Sequence, residues 1–304
     1  SLPNSEARPQ VASYWVGTDF EFEILRANPW SAHLVVAQSF RSGYRVVLAG
    51  DAAHQVIPTG GYGMNSGVGD AIGLAWVLAA NVQGWGGIDL VDAYDIERRN
   101  AAWWFNQASR EHMSVRIKIA ELYANAGDIQ SDTPEANASR RALASSIEAI
   151  GNAENESWGV EFGYRYDRSP IVAHEAEAPP ADTLSYAPST VPGARLPHVF
   201  LHPSGEAIHD LLGEFFTLIV LSNIDVSSFE AAASGIDMPL KVLRLDEAAV
   251  AHIYERYLIL VRPDQHVAWR GNTIPTDVPK LLGKVTGNSV KGRSKIRFGE
   301  AKTA

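Results

Sequence analysis

Apolar residues recur every three to four positions in three long segments after residue 60, which is the periodicity of an α-helix. The first helix is predicted to begin near Met64 and to end at the glycines 84, 86 and 87. The second is predicted over residues 90–124 with Asp89 as its N-cap, and the third over residues 134–150. The apolar stripe of the first helix consists of Met64, Val68, Ala71, Ile72, Ala75, Leu78 and Ala79.

Shorter apolar runs, bounded by turn-forming residues, predict β-strands on either side of these helices. Before the helices, strands are predicted over residues 20–25, 33–37 and 44–50, the last a buried strand that ends at Asp51. After them, the pattern alternates between strands and short helices, which favours a small α/β domain. The predicted strands are residues 198–201, 215–221, 240–245, 257–261 and 267–269, with helices over 226–234 and 277–285 and a turn at 264–266.

Composition and charge exclude several classes of protein. The 304 residues carry 46% hydrophobic and 20% charged residues, which is ordinary for a globular chain. The net charge of −9 argues against nucleic acid as the main partner, because phosphate contacts require an excess of Lys and Arg. Absence of cysteine excludes disulfides, thiolate nucleophiles and Cys-ligated metals. Without an apolar run of 18 residues or a signal-peptide pattern, we expect no membrane partner and a cytoplasmic location.

Candidate chemistry is concentrated between residues 50 and 65. The predicted strand delivers the carboxylate of Asp51 to its C-terminal end, where ligands sit in open α/β sheets. Gly60, Gly61 and Gly63 allow the backbone to approach a ligand closely. The N–H groups and the positive dipole end of the helix that begins near Met64 would face that ligand. This arrangement suits a ligand with hydroxyl groups and an electron-rich edge.

Other interpretations concern the Gly-rich loop, His54 and three histidines near residue 200. A nicotinamide-dehydrogenase fingerprint would need its first glycine directly after the strand, whereas ten residues intervene here. His54 is interpreted either as a proton relay or as a packed histidine. No metal site is predicted at His198, His202 and His209, because their spacing to carboxylates does not fit metal coordination.

The stretch from Gly50 to Trp76 resembles the second FAD motif of the class A flavoprotein aromatic hydroxylases, the family of para-hydroxybenzoate hydroxylase and phenol hydroxylase. The resemblance implies FAD as cofactor, with Asp51 bonded to its ribityl chain. It also implies that backbone N–H groups stabilise negative charge at N1–C2–O2 of the reduced flavin and that the Pro58 carbonyl lies on the substrate side. The residues expected against the isoalloxazine ring are Pro58, Gly60, Gly61, Gly63, Met64 and Asn65.

Segments 161–170, 192–198 and 260–271 resemble the linker and the thioredoxin-like C-terminal domain of larger members of this family. The predicted fold class is therefore α/β, the C-terminal part of an FAD-binding hydroxylase fold followed by a thioredoxin-like domain. The predicted domains are a remnant of the substrate-domain sheet (1–45), the C-terminal part of the FAD-binding domain (46–166), a Pro-rich linker (167–195), the thioredoxin-like domain (196–290) and a basic tail (291–304). Without a CxxC motif, the last domain is expected to have a structural or oligomer-contact role.

The activity implied by the resemblance is hydroxylation of a phenolic or other electron-rich small aromatic substrate by O2 through a flavin C4a-hydroperoxide, with NADH or NADPH as transient co-substrate. The family's first FAD motif, GxGxxG on an opening βαβ unit, is absent from the sequence. The chain is therefore expected to be the C-terminal portion of such an enzyme, inactive in isolation, and either a fragment or one piece of a split enzyme with an N-terminal companion. A homo-oligomer is expected, and no catalytic base is assigned. The alternative function is a non-catalytic structural or assembly module.

Overall fold

A computed structural model describes residues 31–151, 156–201, 205–245 and 247–288. These belong almost entirely to one of the two units into which the chain divides, residues 33–304. The predicted strand at 20–25 and the predicted tail at 291–304 lie outside the described residues. The predicted domain boundaries are not tested by the structure and stay a prediction.

From residue 31 onward, four two-residue strands precede the helices: β1 (Val35–Val36), β2 (Arg41–Ser42), β3 (Val46–Val47) and β4 (His54–Gln55). β1 pairs with β4 and β2 with β3, both antiparallel. The prediction of a buried strand over residues 44–50 is wrong in length and burial, since Val46 is 57% exposed. A buried parallel strand needs neighbours on both sides, and within residues 31–151 this run pairs only with β2.

Three long helices follow: α1 (Tyr62–Gln83), α2 (Asp89–Asn125) and α3 (Pro134–Ile150). The sequence prediction of these helices is confirmed to within two residues at each end. Thr133 caps α3, its Oγ1 accepting the N–H of Ala136 at 3.1 Å. Asp89 is not an N-cap as predicted, because it is the first helical residue and Ile88 occupies the cap position. A further short helix, α4 (Trp158–Phe162), was not predicted.

α1 buries a different face from the one that its apolar residues mark. The predicted stripe is exposed, with Met64 79%, Val68 52% and Ile72 51% accessible. The buried face instead carries polar and small residues in its first half, among them Ser66 and Asp70. This face lies against α2, and the buried residues of α1 are Tyr62, Ser66, Asp70, Gly73, Trp76, Val77, Ala80 and Asn81.

The C-terminal part is a four-stranded sheet with helices on both faces. Its elements are β5 (Phe216–Val220), α5 (Ser227–Ser234), β6 (Leu240–Arg244), α6 (Glu247–Tyr254), β7 (Leu258–Val261), β8 (Val267–Gly271) and α7 (Val278–Val285). The strand order is β6-β5-β7-β8, with β5 and β6 parallel and the other pairs antiparallel. This is the thioredoxin-like α/β arrangement that the sequence predicted. The predicted strand at 198–201 is wrong, since only Phe200 forms an isolated bridge, to Ala207, and α6 was not predicted.

Alternate residues of the two central strands enter different hydrophobic cores, as the two-residue period of a strand requires. Leu218 and Leu260 contribute to the core that includes α5, α7 and the C-terminal half of α1. Ile219 and Ile259 contribute to the other core, with Tyr254 of α6. Because α1 shares a core with this sheet, the helical part and the C-terminal part stabilise each other.

A buried ion pair also joins the helical part to the sheet. Arg262, which follows β7, donates to both carboxylate oxygens of Glu97 on α2 at 2.6 and 2.7 Å. It donates in addition to Asp264, and Ser169 donates to Glu97. Arg262 is 2% and Glu97 4% exposed, so the Glu97 carboxylate depends on Arg262 for neutralisation. The predicted turn at 264–266 is therefore also part of a buried charge cluster, a role that the sequence interpretation missed.

We expect the substitution Arg262→Ala to lower the free energy of unfolding by about 3–5 kcal/mol, because it leaves the buried Glu97 carboxylate unpaired. Urea unfolding followed by far-UV circular dichroism measures the loss. Arg244→Ala, at an exposed arginine of β6 in the same sheet, is the matched control and should cost less than about 1 kcal/mol. Equal losses in the two variants would contradict the importance of the buried pair.

Candidate functional site

The glycine-rich loop before α1 is a tight turn. The N–H of Gly61 donates to the carbonyl of Pro58 at 3.1 Å, and both Gly60 and Gly61 have positive φ, +84° and +71°. A Cβ on Gly60 would lie 2.4 Å from the ring of Tyr62, whereas a Cβ on Gly61 would meet no atom within 4 Å. Glycine is therefore required for packing at Gly60, while Gly61 leaves open space beside the start of α1.

Residues of α2 anchor this loop from behind. The hydroxyl of Ser109 donates to the carbonyls of Ile57 and Thr59, each at 3.0 Å, and Thr59 Oγ1 lies 2.8 Å from Ser109 Oγ and from its carbonyl oxygen. The Tyr62 hydroxyl lies 2.9 Å from His112 Nε2. All four side chains are buried. The loop is thus held rigidly, and its outer surface does not take part in these contacts.

The N-terminus of α1 is suited to an anionic or electron-rich group. Gly61 is the N-cap and has no side chain with which to satisfy the first N–H groups of the helix. The first turn contains no acidic residue that would compete with a ligand for the positive end of the helix dipole. Met64 and Asn65 are exposed on this turn, and the Asn65 side chain donates back to the Gly61 carbonyl at 3.0 Å.

Asp51 lies in a one-turn 3-10 helix, Gly50–Ala52, that packs against the second turn of α1. The contact is close because it joins two glycines: a Cβ on Gly67 would lie 3.5 Å from the Cα of Gly50. Gly50 has a φ of +58°. The Asp51 carboxylate is exposed. Asp51 is thus presented by a turn, and not by the end of a long buried strand as the sequence predicted.

Buried Asp70 of α1 holds this turn in place. Its Oδ2 accepts the N–H of Gly50 at 2.9 Å and lies 2.8 Å from His54 Nε2, and its Oδ1 accepts from Arg98 Nε of α2 at 2.7 Å. Burial alone would raise the pKa of Asp70. The hydrogen bonds from His54 and Arg98, the charge of Arg98 and the Gly50 N–H outweigh burial and lower that pKa below its usual value near 3.8. The carboxylate is therefore a charged anchor for the backbone that presents Asp51.

The structure brings the seven residues predicted to bind the cofactor into one stretch around the start of α1. Five of them are exposed and available to a ligand: Asp51, Pro58, Gly61, Met64 and Asn65. Gly60 and Gly63 are half-buried and shape the loop. Their assignment to FAD is not tested by the structure and stays a prediction.

The histidines named in the sequence analysis differ in burial, with His54 buried and His198 exposed. His54 is 3% exposed and bonded to Asp70, which agrees with the packed alternative. His198 and His209 stack on each other with their Nδ1 atoms 3.3 Å apart, and His202 lies outside the described residues. Within the described parts of the chain, no cluster of three potential metal-ligating side chains occurs.

No described helix combines the length and hydrophobicity needed to span a bilayer.

A cavity of about 580 Å³ lies beside the loop, between α1, α2, α4 and the turn at residues 263–266. Its lining combines charged side chains, among them Arg98, Arg195 and Asp264, with aromatic ones. The aromatic lining residues include Tyr62, Phe105, Phe162, Tyr164 and Tyr166. Gly60 and Asn65 border one end of the cavity, and the turn before β8 borders the other.

Sequence interpretation missed the charged residues that support the site. Asp70, Glu97 and Arg98 were not assigned any role, although each is buried. A signal was present: Glu97 and Arg98 lie three and four positions after Tyr94 and so fall in phase with the apolar face of α2. Charged residues in the buried phase of a helix indicate internal ion pairs.

Comparison with known families agrees with this geometry. The profile of the FAD binding domain family matches residues 3–109, and that of the C-terminal domain of aromatic-ring hydroxylases matches residues 189–289. The chain belongs to the FAD-dependent aromatic-ring hydroxylases.

Individual relatives match most of this chain. The FAD-dependent monooxygenase opdD of Penicillium oxalicum is 37% identical over 263 residues, 83% of this chain and 49% of that protein. The rebeccamycin biosynthetic enzyme RebC, solved with reduced flavin, superimposes with a TM-score of 0.82 at 34% identity over 95% of this chain and 53% of its own. The flavin-dependent monooxygenase PieE, solved with FAD and substrate, superimposes with a TM-score of 0.80 at 29% identity. The match covers 95% of this chain and 55% of PieE. The chain thus spans about half the length of these relatives.

We expect the free energy of unfolding of this chain to fall as the pH drops below about 4, because the Asp70 pKa is lowered by folding. Stabilisation by this carboxylate is complete above its unfolded pKa near 3.8 and is lost as it protonates in the folded state. Urea unfolding at pH 5, 4 and 3 measures the slope. Asp70→Asn should flatten it while lowering stability at neutral pH; parallel pH curves for the two proteins would exclude Asp70 as a source of the acid sensitivity.

Two neighbouring glycine substitutions should differ in cost. Gly60→Ala combines a positive φ with a clash against the Tyr62 ring, and we expect it to cost about 2–4 kcal/mol of unfolding free energy. Gly61→Ala, its matched control, carries the strain of a positive φ in open space and should cost about 1–2 kcal/mol. Urea unfolding of both variants tests this. A greater loss at Gly61 would contradict the described loop packing.

Proposed function

We propose that this chain supplies the flavin-ring and ribityl site of an FAD-dependent monooxygenase that hydroxylates an electron-rich aromatic ring. The observation that carries the proposal is the open N-terminus of α1, with the space beside Gly61 before it and the exposed Asp51 beside its second turn. An isoalloxazine ring has an electron-rich N1–C2–O2 edge, and a ribityl chain has hydroxyl groups. The donors and the carboxylate present here fit those two parts of FAD.

Each part of the site has a distinct role in this proposal. The backbone N–H groups at the start of α1 bind the N1–C2–O2 edge and stabilise negative charge there. Asp51 accepts hydrogen bonds from the ribityl hydroxyls. Gly61, Gly63, Met64 and Asn65 lie against the ring, and the carbonyl of Pro58 faces the substrate side.

When bound, FAD supplies electron transfer from NADH or NADPH and activation of O2 for oxygen transfer to the ring. The residues of this chain orient the flavin and hold it against the rigid loop that Ser109 and Tyr62 anchor. A phenol is the substrate class that we propose, on the strength of the aromatic-ring hydroxylase profile at residues 189–289. No catalytic base is assigned.

A second candidate is an assembly role, which the exposed apolar stripe of α1 favours. Met64, Val68, Ile72 and Val82 are each more than half exposed along one helix. Apolar surface of this kind is typical of an interface. Because the stripe starts at the proposed flavin site, we propose that it binds a polypeptide that carries the family's GxGxxG βαβ unit. The described residues contain no GxGxxG segment.

We expect Asp51→Asn to weaken FAD binding about tenfold or more, because it removes a charged acceptor for the ribityl hydroxyls. Quenching of flavin fluorescence on titration with the purified chain measures the dissociation constant. Asp237→Asn is the matched control, since Asp237 is exposed and asparagine tolerates its φ of +54°. Equal affinities for the Asp51 variant and the wild type would refute the ribityl role.

The visible spectrum of the purified chain distinguishes the two candidates. Flavin absorption bands at about 370 and 450 nm, with FAD released on denaturation, would support the cofactor site. A colourless protein that takes up no added FAD would support the assembly role and contradict flavin binding by this chain alone.

A further inference from the structure

We infer that Tyr166 is a positioning residue of the flavin site, through which the C-terminal part holds the turn that presents Asp51. The part of this inference that concerns flavin binding rests on the proposed function. Three buried side chains, Tyr166, Arg98 and Asp70, connect the hydroxyl of Tyr166 to the backbone N–H of Gly50.

The first link is the bond between Asp70 and Gly50. Gly50 precedes Asp51 directly, and its N–H donates to Asp70 Oδ2 at 2.9 Å. Asp70 is completely buried, so its position depends on its polar partners. A shift of the Asp70 carboxylate would therefore release the N–H that fixes the Gly50–Ala52 turn.

The second link is Arg98, which fixes Asp70. Its guanidinium donates to Asp70 Oδ1 at 2.7 Å, to the Ser66 carbonyl at 3.2 Å and to the Tyr166 hydroxyl at 3.1 Å. It crosses α1 at Gly69, where a Cβ would lie 2.8 Å from Arg98 Nη2. Each of its three nitrogens thus has one acceptor, and Tyr166 supplies the acceptor for Nη1.

The third link is the fixation of Tyr166 by the C-terminal part. Its N–H donates to the Gly193 carbonyl at 3.0 Å, and its ring stacks on His266 at a centroid distance of 4.1 Å. The guanidinium of Arg262 lies 5.1 Å from the ring centroid, and Arg262 is itself paired with Glu97. Tyr166 is 3% exposed, and these contacts fix its hydroxyl within hydrogen-bond distance of Arg98.

The protonation state of Tyr166 suits its role as a hydrogen-bond acceptor for Arg98. Burial raises the pKa of Tyr166 well above its ordinary value, which keeps the hydroxyl neutral at physiological pH. A neutral hydroxyl accepts from Arg98 without neutralising it, so Arg98 stays available as the counter-ion of Asp70. Replacing the hydroxyl therefore perturbs Arg98 without removing any charge.

Tyr166→Phe tests the inference, because it removes one oxygen and keeps the ring contacts with His266 and Arg262. Tyr164→Phe is the matched control: Tyr164 lies two residues earlier and contacts His266, but its hydroxyl makes no hydrogen bond to a residue that the structure describes. Amide hydrogen exchange of the cofactor-free chain, measured by NMR, is the first readout. We expect Gly50 to exchange about three- to tenfold faster in Tyr166→Phe and at the wild-type rate in Tyr164→Phe.

Flavin titration of a double-mutant cycle is the second readout. We expect Tyr166→Phe to weaken FAD binding about three- to tenfold in the wild-type background and to have no further effect in Asp51→Asn. A structural role that is independent of Asp51 would give additive losses, and additive losses would overturn the inference.

An unchanged exchange rate of Gly50 in Tyr166→Phe would also overturn it, whatever the flavin affinity. If the wild-type chain takes up no FAD, the proposed function fails instead, and the exchange rates alone decide whether Tyr166 holds the turn. Accelerated exchange in that case would support the link from Tyr166 to Gly50.

Discussion

The buried charges of Glu97 and Arg98 impose the constraint on which the rest of this structure depends. These neighbours on α2 are both almost fully buried, so each must meet an opposite charge inside the protein. Arg98 pairs with Asp70 of α1 and thereby fixes the turn at Asp51, whereas Glu97 pairs with Arg262 and fixes the C-terminal sheet. One helix turn therefore aligns the candidate flavin site and the C-terminal part with each other.

The candidate site combines a rigid interior with an open exterior. Ser109, Tyr62 and Asp70 satisfy the inner polar groups of the loop and the turn, and they leave the N-terminus of α1 and Asp51 facing outward. A ligand that binds there need not displace any internal hydrogen bond that the structure describes. This division explains why the glycines differ in role, with Gly60 required by packing and Gly61 bordering open space.

Much of the architecture could be predicted because it follows from local periodicity. The helices α1, α2 and α3 and the strands β5 to β8 have patterns that neighbouring residues determine. The short helices α4 and α6 were missed because five and eight residues carry little periodic signal. The strand predicted at 44–50 failed because strand formation depends on partner strands, and partners are not encoded in the run itself.

By itself, the sequence determined the α/β class, the order of the long elements, and a loop of glycines between Asp51 and a helix start, since these depend on residue type and spacing along the chain. Only the tertiary structure decided which face of α1 is buried, because Met64, Val68 and Ile72 of the apolar stripe are exposed while Asp70 points inward to Arg98. It alone also revealed that Arg262 meets Glu97 across 165 residues. Such pairings depend on which surfaces meet after folding, and no local pattern specifies them.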